Sequence, residues 1–111
     1  MWSESVLHSF YGSYGGSISG PVAFDTKGNL YGTTINNGDT TDCKGGCGTI
    51  FKLLPPASPG GAWGAGWTIK LNGANGQFAD GDLIIRADGT IYGTTYEGGE
   101  YGFGTVYQIQ P

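Results

Sequence analysis

Charge is scarce in this chain of 111 residues, and no stretch of it is strongly basic. Nine acidic residues against five basic ones leave a formal charge of −4. The counterion-release term that drives binding to phosphate backbones is missing, which argues against a nucleic-acid partner. Anionic membrane surfaces are disfavoured for the same reason. No apolar run approaches the roughly 20 residues that span a bilayer, so no membrane partner is expected. The opening Met1-Trp2-Ser3-Glu4-Ser5 has neither a basic nor an apolar leader region, so no signal peptide is visible. A single histidine, His8, has no obvious partner, so a nucleophile–histidine pair would have to come from remote contacts. Helical periodicity is lacking as well, because glycine interrupts every candidate window.

What is abundant is glycine, 23 residues, set between short Val/Ile/Leu runs and among 3 Trp, 7 Tyr and 5 Phe. There is no Gly-X-Y period, which excludes collagen, and the aromatics argue against disorder. Glycines between short apolar runs are turns in a compact all-β protein. The two cysteines stand close, in Cys43-Lys44-Gly45-Gly46-Cys47. Two thiols are too few for a zinc site by themselves. The pair predicts a small disulfide pinning a loop, the alternative being two free thiols in a turn. A disulfide would point to an oxidising compartment, with extracellular or cell-surface location expected.

The organising feature is an internal echo. Gly28-Asn29-Leu30-Tyr31-Gly32-Thr33-Thr34 returns as Gly89-Thr90-Ile91-Tyr92-Gly93-Thr94-Thr95, a shift of 61 residues. Gly48-Thr49-Ile50-Phe51-Lys52-Leu53 returns as Gly104-Thr105-Val106-Tyr107-Gln108-Ile109, a shift of 56 residues. Eight short strands are expected, at 6–10, 22–24, 29–34, 49–53, 67–71, 83–86, 90–95 and 106–109. Such strands suit a sandwich, a barrel or propeller blades, and the echo selects blades. Trp67, Ile69 and Leu71 alternate with Thr68 and Lys70, placing Trp67 in the core.

The motif pair at 28–34 and 48–53, preceded by Val6-Leu7-His8-Ser9-Phe10, resembles the GloVer-type tandem repeat of exported, often surface-anchored bacterial proteins. That resemblance implies β-propeller blades and supplies no catalytic residues. The expected fold is therefore all-β, with two four-stranded propeller blades per chain. The expected divisions are 1–10, a strand completing a neighbour's blade; 11–71, the first blade; and 72–111, a second blade without its outer strand. Two blades cannot close a propeller of about four to eight. Head-to-tail rings would complete them: a homotrimer with six blades or a homotetramer with eight, through exchange of the N-terminal strand. The alternative is a piece of a longer propeller.

Candidate binding residues lie in loops. Asn36, Asn37, Asp39 and Asp42 follow the first motif, while Tyr96, Glu97, Glu100, Tyr101 and Phe103 follow the second. Trp63 sits in a Gly/Pro loop. Aromatic faces beside amides and carboxylates suit neutral glycans. The leading expectation is a non-enzymatic propeller scaffold or interaction module, the alternative a multivalent lectin. A glycoside-acting enzyme using Glu97 and Glu100 is a third reading. Tyr31 and Tyr92 are expected to pack or to hydrogen-bond. Asp80-Gly81-Asp82 reads as a solvated turn. No cofactor or metal is expected.

Overall fold

The hairpin turns are coded locally. Asp25 Oδ1 accepts the amides of Lys27 and Asn29 at 2.8 and 3.0 Å, and Gly28, at φ 85°, closes the turn. This is the side-chain mimicry of a backbone turn that aspartate provides. At the corresponding turn Asp88 Oδ1 accepts the Thr90 amide at 2.9 Å.

The computed structural model describes residues 2–10, 16–38 and 40–111. Its strands are β1 (Gly16–Phe24), β2 (Leu30–Asn36), β3 (Thr49–Leu54), β4 (Gly64–Lys70), β5 (Gln77–Ala79), β6 (Ile84–Ile85), β7 (Ile91–Glu97) and β8 (Thr105–Ile109). The first sheet runs β1-β2-β3-β4, every pair antiparallel. In the second, β5 and β6 pair with β7, and so does β8.

Register assigns the faces. Tyr31 stands opposite Lys52, and Thr33 opposite Ile50, which stands opposite Ile69. With Trp67, these side chains form the face turned to the second sheet. That sheet answers with Leu83, Ile85, Ile91, Tyr107 and Ile109. The other face of the first sheet carries Leu30, Phe51 and Leu53, covered by Phe10 and Trp63. The expected disulfide is present: Cys43 and Cys47 are bonded, with their Cα atoms 5.1 Å apart, and they pack with Ile50, Leu71 and Ala79.

Several expectations are corrected. The sheets are open, and neither curls or closes, so the molecule is not a propeller. The physical reason lies in how the faces are covered. A blade needs a neighbouring blade on each side, whereas here Phe10 and Trp63 cover the outer face of the first sheet. The strand expected at 6–10 does not form: residues 2–10 carry no regular structure, and Phe10 packs edge-on against Phe51 with ring centroids 4.7 Å apart. That segment is thus engaged within its own chain, and nothing supports the strand-exchanged ring. Nor are the sheets complete copies of one blade: β5 and β6 together take the place of β1, on one side of β7, and among the described residues no strand flanks β8 as β4 flanks β3.

Candidate functional site

Two threonine pairs set the strands that matter. Thr34 and Thr49 hydroxyls lie 2.7 Å apart, and the Thr49 amide donates to Thr34 Oγ1 at 3.0 Å. Thr95 and Thr105 repeat this at 2.8 and 3.0 Å. The glycine before each pair, Gly48 at φ 93° and Gly104 at φ 108°, lies against the carbonyl of Thr34 or of Thr95. An added Cβ would meet that oxygen at 2.5 or 2.6 Å. Only glycine admits both the φ and the approach.

This lock orients β8. The Thr105 amide is turned toward β7. Backbone groups alternate sides along a strand, so Tyr107 and Ile109 also pair inward. The amides and carbonyls of Val106 and Gln108 then point away from the sheet. On β3 the equivalent edge is occupied, with Ile50 opposite Ile69 of β4. On β8 no described strand takes that place.

The free edges differ in how they are protected. β1 contains Pro21 and a register shift between Ser19 and Ala23. β4 has two glycines, Lys70 and a register shift. β5 and β6 are separated by Asp80-Gly81-Asp82. β8, Thr-Val-Tyr-Gln-Ile, has no proline, glycine, charge or bulge. These are the devices that keep an edge from pairing, and β8 lacks them all. Val106 is 81% exposed beside this edge.

At the C-terminal end of β8 the sheets part over a cavity of about 290 Å³. Trp67, Tyr31 and Lys52 line it from the first sheet, and Ile91 and Ile109 from the second. The Lys52 ammonium lies 5.7 Å from the Tyr31 ring centroid. The Tyr31 hydroxyl donates to Asp25 Oδ2 at 2.9 Å. Burial, together with that hydrogen bond and the Asp25 charge, pushes the Tyr31 phenol up to about 12. For Asp25, burial alone would raise the carboxyl, but hydrogen bonds from Asn29, Tyr31 and Lys27 outweigh it and hold it at about 2. Tyr107 Oη is buried without a hydrogen-bond partner, and burial pushes its phenol up to about 12.

The loop residues singled out from sequence make local contacts or stand exposed to solvent. Asp39 lies outside the described residues. Asn37, at φ 63°, uses its backbone to hold the disulfide loop, donating to Gly45 O and accepting from Gly48, both at 2.9 Å. Asn36 Nδ2 reaches Ser17 Oγ at 3.5 Å. Glu97 accepts from Gln77 Nε2 at 3.5 Å, and Glu100 is exposed. Tyr96, Tyr101 and Phe103 are exposed, and none lines a described cavity. Trp63 instead lines a groove with Val6 and Leu7, and packs on the cluster of Leu30, Phe51 and Leu53. An aromatic glycan-binding surface is therefore absent among the described residues, and the lectin expectation falls with the scaffold ring. No group of three or more His, Cys, Asp or Glu among the described residues could hold a metal ion.

Sequence reasoning missed Val106, Gln108, Ile109 and Lys52 as site residues. The available signal was the uncharged run at 105–109, free of glycine and proline. Comparison with protein-family models, curated proteins and solved structures found no match, which removes the support for the GloVer resemblance.

Proposed function

We propose that this chain is a non-catalytic peptide-binding domain that takes an extended segment of another protein as an added strand on β8. The carrying observation is the contrast between β3, whose outer edge bears β4, and β8, whose equivalent edge meets no described strand and has no proline, glycine, charge or bulge. Strand addition draws affinity from main-chain hydrogen bonds and selectivity from alternate side chains. The outward groups of Val106 and Gln108 are the ones to be satisfied. The net charge of −4 favours a neutral or basic segment. The disulfide supports work in an oxidising, extracellular setting.

The test is an amide-resolved titration with a capped peptide, Lys-Ala-Thr-Thr-Val-Thr-Lys, at millimolar concentration. The expected result is exchange protection at Val106 and Gln108 amides. Gln108→Pro removes one outward amide while sparing the β7 ladder, and should abolish the protection. Unchanged exchange overturns the reading. So does a doubled solution mass without peptide, which would assign the edge to a second copy.

A further inference from the structure

The cavity beside β8 has a position that relates it to an added strand. Directly opposed residues in an antiparallel pair share a face. A partner residue opposite Ile109 would therefore point to the same side as the Ile109 side chain. That side faces the first sheet, and Ile109 itself lines the cavity with Trp67, Tyr31 and Lys52. The cavity, about 290 Å³, is large enough to receive a bulky side chain.

The walls select the chemistry. Trp67 and Ile109 are apolar, and the Trp67 ring already lies 5.8 Å from Tyr31, tilted by 52°. The Lys52 ammonium beside Tyr31 is a cation that an aromatic face can approach. The first sheet offers a parallel. Its cluster of Leu30, Phe51 and Leu53 occupies the motif positions of Ile91, Tyr107 and Ile109, and an indole, Trp63, packs on it.

We infer that the segment recognised on β8 carries an aromatic anchor residue opposite Ile109, seated in the cavity between Trp67, Lys52 and Ile109. This rests on the strand-addition reading and specifies its ligand: an extended, neutral or basic peptide with an aromatic side chain at one end of the pairing. Opposite Val106 such a peptide carries a β-branched residue, as Ile69 stands opposite Ile50.

Two capped peptides decide it, Lys-Phe-Thr-Thr-Val-Thr-Lys and the same sequence with Ala for Phe. The phenylalanine peptide is expected to bind about tenfold or more tightly, the scale of burying one large apolar side chain. Trp67→Ala should bring the two peptides within about twofold of each other. Should that variant fail to fold, the indole N–H resonance of Trp67 in the intact protein gives the same answer. It shifts with the phenylalanine peptide and stays in place with the alanine peptide. Equal affinities, or an unmoved Trp67 resonance, overturn the anchor while leaving the edge reading intact. Binding of neither peptide overturns the edge reading, and the anchor with it.

Discussion

At the scale of single residues, the two halves of the chain differ in one atom that matters. Phe51 and Tyr107 hold equivalent positions against Gly32 and Gly93, but only the tyrosine brings a hydroxyl, and it is buried without a partner. An unsatisfied buried polar group costs about 1–3 kcal/mol. Tyr107→Phe is therefore expected to be stabilising by about 1 kcal/mol, measured by urea unfolding. The threonine lock should behave oppositely. Thr95→Val takes the acceptor from the Thr105 amide, with an expected loss of about 1–3 kcal/mol. Asp25 carries a pH dependence with a definite sign. Its carboxyl is held at about 2, below the ordinary 3.8, so it contributes stability above pH 4. That contribution fades as pH falls from about 4 toward 2. An acid unfolding series should show the loss, and Asp25→Asn should flatten that part of the curve.

At the scale of elements, hairpins were legible and edges were not. The turns at 25–29 and 86–90 follow from an aspartate, a glycine and flanking apolar runs, and both formed where those residues stand. The disulfide was legible from spacing. Val6–Phe10 was not, because an alternating run of five residues reads as a strand whether or not a neighbour offers it a ladder. Here aromatic packing of Phe10 on Phe51 took precedence. The short β5 was unreadable, since Phe78 in its centre takes the left-handed region at φ 59°. The glycine ahead of β8 is testable at this scale. Gly104→Ala would drive a Cβ to 2.6 Å from the Thr95 carbonyl, at φ 108°. It should cost upwards of about 1 kcal/mol and weaken the β8 pairing, visible as faster exchange of the Tyr107 amide.

At the scale of the molecule, stability rests on the packing of one sheet face against the other, with the disulfide loop closing one end of it. The loop between Cys43 and Cys47 is short, so reduction should lower stability by only about 2 kcal/mol. A reduced sample is expected to stay folded and to unfold at lower urea. The same packing leaves the opposite face of the second sheet, with Ile84 and Val106, in solvent.

Local grammar, then, was settled by the chain alone: an all-β composition, two matching hairpins, a pinned loop and, among the described residues, strands without helices. Each depends on residues a few positions apart, where glycine, aspartate and threonine act on their own backbone. The assembly of those hairpins was decided by tertiary contacts. A propeller and a pair of open sheets use the same alternation and the same turns. They differ in what covers the outer faces and edges. Phe10 and Trp63 seat themselves on the cluster of Leu30, Phe51 and Leu53, Thr105 turns β8 inward, and no described strand covers the outward edge of β8, through contacts that no spacing in the sequence encodes.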